Sequence, residues 1–196
     1  MFALGTVLGS FYTLAVYRIP LKQNITHTRS YCPKCKHRLN FLDLIPVLSY
    51  IFLGGKCRYC ENKIRPRYLI LEISSGIAFL LFGIWLNIDV FNIEYTKIAT
   101  LIFGTLFFST VFITIGIFKE HKKIQKSVFN FGIITETIYM IYLYILNTSI
   151  YRYIIYTLCL LLMAVLNNSK KINKHIKEIM FLLFMLMGIM EMILVV

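Results

Sequence analysis

Apolar residues fall into six long runs separated by short polar stretches, at 1–17, 68–88, 98–118, 128–146, 150–166 and 179–196. A helix rises about 1.5 Å per residue, so about 20 apolar residues cross a hydrocarbon core about 30 Å thick. The pattern predicts an all-α polytopic membrane protein with about six transmembrane helices, since a single helix satisfies its own backbone in lipid. The first run is short. It reads as a truncated or tilted span or as an uncleaved signal anchor, because no basic segment precedes it and no A-x-A-like site follows. Composition agrees: 58% of the 196 residues are hydrophobic and 15% charged, which excludes a disordered chain, a collagen-like fibre and an ordinary soluble globule.

Charge adds orientation. Lys and Arg number 21 against 9 Asp and Glu, a formal net charge of +12. On a soluble chain that excess would suggest nucleic acid, but the basic stretches carry no pattern of stacking aromatics, and no nucleic-acid partner is expected. Between the first two runs lie Arg18, Lys22, Arg29, Lys34, Lys36, Arg38, Lys56, Arg58, Lys63, Arg65 and Arg67. Lys119, Lys122, Lys123 and Lys126 follow the third run, and Lys170, Lys171, Lys174 and Lys177 follow the fifth. Only Lys97 and Arg152 lie elsewhere, while the loop after the second run holds Asp89 and Glu94. Basic residues gather in alternate loops, which places those loops in the cytoplasm beside anionic lipid and both termini outside. Tyr142, Tyr144, Tyr151, Tyr153 and Tyr156 fall near an expected outer interface, as an aromatic belt would.

The organisation follows: a first transmembrane helix at 1–18, a polar cytoplasmic insert at 19–66 and a five-helix membrane domain at 67–196. The insert holds four of the five cysteines, as Cys32-Pro-Lys-Cys35 and Cys57-Arg-Tyr-Cys60. Two C-x2-C pairs at this separation suit a tetrahedral site in which four thiolates close the shell around zinc, leaving no open position for chemistry. The alternative is two disulfides. Cytoplasmic placement and the adjacent lysines and arginines favour thiolates, hence zinc. Cys159 lies in an apolar run and reads as a packed residue.

The insert and its flanks resemble bacterial type IV prepilin peptidases. The resemblance is carried by Gly9-Ser10-Phe11, Tyr17-Arg18-Ile19-Pro20, Arg29-Ser30-Tyr31-Cys32-Pro33-Lys34-Cys35 and Asp43-Leu44-Ile45-Pro46-Val47-Leu48-Ser49-Tyr50. It continues through Gly55-Lys56-Cys57-Arg58-Tyr59-Cys60 and Ile64-Arg65-Pro66-Arg67-Tyr68 to Glu72. It implies an inner-membrane aspartic endopeptidase that removes basic leaders from pilin-like precursors at the cytoplasmic face. Many such enzymes also methylate the new N-terminus with S-adenosylmethionine. Two aspartates would do the proteolysis, one activating water and one donating a proton.

The second half departs from that pattern. Phe118 and His175 occupy the positions matching the two family aspartates, and the only aspartates are Asp43 and Asp89. Glu120 and Glu178 are weak substitutes at span ends, and His121 and His175 read as loop residues. No S-adenosylmethionine site is recognisable. The expected function is that of a proteolytically inactive homologue that binds a pilin-like leader or a pilus, secretion or DNA-uptake assembly. One alternative is an active peptidase using Glu120 and Glu178 or a partner subunit, and another is a membrane scaffold or transporter with a zinc module. Glu72, Glu136 and Glu191 lie within spans, where an acid is costly and marks a candidate site. Arg65 or Arg67 is the expected partner of Glu72.

Overall fold

The computed structural model describes residues 1–25, 29–88, 94–146, 150–169 and 173–195, without the side chains of 150–153 and 193–195. Asp89, Lys170, Lys171 and the side chains of Tyr151 and Tyr153 lie outside the described residues. The elements are α1 (Phe2–Arg18), a 3-10 turn (Phe41–Leu44), α2 (Leu48–Phe52), α3 (Arg67–Trp85), α4 (Tyr95–His121), α5 (Lys126–Ile145), α6 (Ile150–Asn168) and α7 (Lys174–Val195). Each apolar run coincides with one long helix, so the all-α class holds. By length and composition α3, α4 and α5 can cross a membrane, and Ile154–Asn168 is a shorter apolar helix. The helices exceed the apolar runs where charged residues are good helix formers. Thus α7 starts at Lys174, five residues ahead of its run, with Lys174 and Glu178 paired one turn apart at 3.8 Å.

The chain forms two compact units, Met1–Asn87 and Ile88–Val196. In the first, α1 lies against α3 at backbone contact. Gly5 and Gly9 form a G-x3-G stripe that permits this approach. A Cβ on Gly5 would sit 2.7 Å from the Ser75 carbonyl oxygen, and one on Gly9 2.8 Å from the Cα of Glu72. Tyr12, Val16 and Phe79 fill the seam and are buried. Pro20 lies just beyond the end of α1 and Pro66 just before α3. Proline cannot donate a helical hydrogen bond but is tolerated at a helix start, so the two frame the insert.

In the second unit α5 packs between α4 and α6, and α7 touches α4, α5 and α6. Phe107, Phe129 and Phe184 form its centre, with Phe184 5.5 Å from each of the other two rings. Gly188 leaves the space that the Phe107 ring occupies. At one end the buried Asn167 donates to Asn130 at 2.8 Å, and Asn130 donates to Asn168 at 3.0 Å, tying the end of α6 to the start of α5.

Candidate metal centre

Both cysteine pairs are held by the same backbone turn, repeated 25 residues apart. In the first, Cys32 N–H donates to the His37 carbonyl at 3.0 Å and Lys36 N–H to the Cys32 carbonyl at 2.9 Å. In the second, Cys57 N–H donates to the Asn62 carbonyl at 3.0 Å and Glu61 N–H to the Cys57 carbonyl at 2.9 Å. Tyr31 bridges Arg38 as Lys56 bridges Lys63. Lys36 and Glu61 both take left-handed backbone, φ 60 and 54°, which curls each turn back over its thiols. The repeat is visible in the sequence only as C-x2-C-x2-[RK]-[LI], from Cys32 to Leu39 and Cys57 to Ile64.

The turns bring the Sγ atoms of Cys32, Cys35, Cys57 and Cys60 within 4.8 Å of one another. Cys32 and Cys57 are buried and Cys35 and Cys60 exposed, and all four are free thiols. A four-thiolate tetrahedron with metal–sulfur bonds of about 2.3 Å has edges of about 3.8 Å. The Cys32–Cys60 separation is 3.9 Å, close to that edge, so the four thiols are gathered at a spacing that a metal ion could draw into a tetrahedron. Burial pushes the Cys32 thiol up, but the backbone amides of Cys35 and Lys34 and the side chains of Cys35 and Cys57 together outweigh it and lower it to about 7. At Cys60 the Asn62 amide acts downward, yet burial and the neighbouring sulfurs push that thiol up to about 11.

Asp43 locks the segment between the turns onto the second of them. Its carboxylate accepts from Arg58 Nε at 2.7 Å, the Tyr59 hydroxyl at 3.0 Å and the Asn40 amide at 3.1 Å. Burial acts to raise this carboxyl, but Arg58, Asn40 and Tyr59 together hold it below its usual value. The His37 ring lies on the Tyr59 ring, 3.7 Å between centroids, so the two turns also meet through side chains.

Two buried charges tie the insert to its helices. The Arg18 guanidinium, at the end of α1, donates to the carbonyls of Asn24 at 3.0 Å, Arg29 at 3.3 Å and Ile25 at 3.4 Å. Glu72, inside α3, accepts from the backbone N–H of Val47 at 2.8 Å. Val47 has φ 64 and ψ −53°, and Leu48 N–H donates across it to the Pro46 carbonyl at 2.6 Å. This is the strained form of the three-residue γ-turn, uncommon for a β-branched residue. Arg18 is thus a backbone anchor and not simply a loop charge, and Glu72 accepts a backbone N–H in place of the expected Arg65 or Arg67, because the Val47 amide reaches it first.

Residues 3–86 match the family model described as the bacterial peptidase A24 N-terminal domain. The chain is 41% identical over 92 residues to a prepilin leader peptidase/N-methyltransferase of Vibrio cholerae, covering 42% of this chain and 36% of that protein. It is 40% identical over 89 residues to the Bacillus subtilis protein of the same name, covering 45% and 36%. The N-terminal part of the chain is similar to the N-terminal domain of the prepilin peptidases. The family resemblance thus rests on the cysteine insert with α1 and α3, and the match spans about a third of these relatives' own length. No solved structure matches the chain.

The second unit brings the other sequence candidates close. Lys122 and Lys174 each place Nζ 5.8 Å from the centroid of the Phe118 ring, so the start of α7 lies at the end of α4. His175 follows Lys174 directly. Glu178 is engaged on its own helix, 3.8 Å from Lys174 and 3.6 Å from His175 Nδ1. Glu120 is on the last turn of α4. Glu136 of α5 and Glu191 of α7 are both buried and lie close enough to interact. That is the polar interhelical contact expected of intramembrane acids.

Proposed function

We propose that this chain is an integral-membrane homologue of the prepilin peptidases that binds pilin-like precursors or their assembly machinery and does not cut them. Zinc fills the four-cysteine site and fixes the insert structurally. The insert faces the cytoplasm, and both termini face outward.

One observation carries the reading. An aspartic peptidase needs two carboxyl groups of opposite protonation state on one substrate. The positions matching the family aspartates, Phe118 and His175, lie at neighbouring helix ends and bring a phenyl ring and an imidazole. Asp43 is held in the insert by Arg58, Tyr59 and Asn40. Similarity retained over the insert and its anchors, with neither aspartate at the matching positions, supports a binding role over a catalytic one. Zinc is supported by the sulfur spacing and the all-thiolate donor set.

The test is co-expression of the full chain with a pilin-like precursor from the same genome in a host lacking prepilin peptidase. The precursor is expected to keep its leader mass and to co-purify with the chain, while an active prepilin peptidase removes the leader in parallel. Leader removal by this chain overturns the reading. In that case Glu120→Gln and Glu178→Gln identify any acids responsible.

A further inference from the structure

The insert carries an apolar face that its own fold leaves open. Phe41 and Phe52 are 82% and 83% exposed, Leu42 and Ile51 about as open at 61% and 60%, and Leu44 and Leu48 are also exposed. All six lie on the 3-10 turn and α2, two short elements that pack on each other. A contiguous apolar surface on a small domain marks a contact.

Its place in the fold indicates what covers it. Val47, immediately before α2, is bonded to Glu72. Glu72 lies five residues past Arg67, the start of α3, hence about 7.5 Å along that helix. The interfacial layer on each side of the hydrocarbon core is about 5–8 Å deep. Helix α2 therefore begins at the level where α3 enters lipid. The close seam of Gly9 against Glu72 holds α1 at the same level. The same insert exposes Lys34, Lys36, Arg38, Lys56, Arg58, Lys63 and Arg65, against Glu61 and the paired Asp43. Arg58, bonded to Asp43, sets a half-exposed guanidinium beside the 3-10 turn. Exposed apolar side chains on a strongly basic insert, hung from a spanning helix at headgroup depth, match an anionic bilayer surface.

We propose that Phe41–Leu44 and Leu48–Phe52 dock the metal-binding insert into the interfacial layer of the membrane that α3 crosses. Phe41, Leu42, Ile51 and Phe52 enter the acyl boundary and the basic residues face anionic headgroups. The docking holds the cysteine site close to the membrane surface whether or not the chain cuts a substrate.

The test uses the full chain in bilayers of phosphatidylcholine and phosphatidylglycerol. Trp85 is the sole tryptophan, so Trp85→Phe gives a silent background. Phe52→Trp and, separately, Phe41→Trp then place reporters on α2 and on the 3-10 turn. Lipids brominated near the headgroup end of the chain are expected to quench both reporters at least about twofold more than lipids brominated near the methyl end, with weak quenching by aqueous acrylamide. Bound-metal content identifies samples with an intact insert. Strong acrylamide quenching, no quenching by either lipid, or stronger quenching by the deep bromines in such samples overturns the proposal. The second of these results means that protein covers the face.

Discussion

Glu72 of α3 accepts the backbone N–H of Val47 at 2.8 Å, across 25 residues of chain. The bond holds a β-branched residue at φ 64°, a conformation that lasts only where its surroundings over-determine it. Removing the acceptor leaves a partly buried amide unsatisfied, which costs about 1–3 kcal/mol. Glu72→Ala is expected to loosen the insert by that amount, read as faster proteolytic cleavage between residues 40 and 55. Glu72→Gln keeps an acceptor oxygen and should stay close to the parent. Equal effects of the two would show that the negative charge, and not the hydrogen bond, is what matters.

The glycine stripe of α1 makes a second prediction. Gly9→Leu cannot fit where even a Cβ would lie 2.8 Å from the Glu72 backbone. Overpacking of this kind typically costs about 1–3 kcal/mol. The expected result is a lower midpoint of thermal unfolding in detergent for Gly9→Leu and Gly5→Leu. Leu4→Ala, at an exposed position on the same helix, should leave it almost unchanged. An unaltered midpoint for both glycine variants would mean that α1 and α3 do not pack at backbone contact.

The third prediction concerns acid. The Asp43 carboxyl is held below its ordinary 3.8 in the folded insert, so the unfolded state binds its proton more readily. This contribution to stability is fully present above pH 3.8 and is lost as the pH falls through the depressed folded value. With metal bound by thiolates, release also follows acid, because protons compete for sulfur. Asp43→Asn removes the charge-assisted bond to Arg58 at all pH values. It is expected to weaken the insert at neutral pH by about 1–2 kcal/mol and to flatten the acid dependence below pH 4 in chelator-treated samples. An acid profile identical to that of the parent would remove Asp43 from the account.

Much of the fold was legible because lipid leaves few options. Six apolar runs became six long helices, with differences confined to ends such as Lys174, where hydropathy marks the hydrocarbon and not the end of hydrogen bonding. The four cysteines were legible because thiolate spacing is a local code. The anchors were not. Arg18 binds the carbonyls of Asn24, Ile25 and Arg29, and Glu72 binds a backbone N–H, and backbone partners leave no complementary residue in the sequence to find. The 25-residue repeat of the cysteine turns was present as a faint C-x2-C-x2-[RK]-[LI] echo. It is carried mainly by backbone bonds and by φ at Lys36 and Glu61, residues with no shared side-chain chemistry. Gly5-x3-Gly9 could have been read as a helix-packing stripe.

Glu136 and Glu191 were visible as acids inside apolar runs, but their pairing was not, since 55 residues separate them. Two buried carboxyl groups this close cannot both be ionised, and Glu191 Oε2 is buried with no hydrogen-bond partner. The pair therefore couples α5 to α7 without balancing charge. Replacing one member strands the other in a dry interior at a cost of about 1–3 kcal/mol, whereas replacing both with apolar residues of similar shape is nearly neutral. Glu136→Leu and Glu191→Leu should each lower thermal stability in detergent, and the double variant should recover most of the loss. Glu136→Gln, which retains a donor and an acceptor, should cost less than Glu136→Leu. Additive losses in the double variant would mean that each glutamate acts through partners other than its neighbour, and the α5–α7 link would then rest on apolar packing around Phe184 alone.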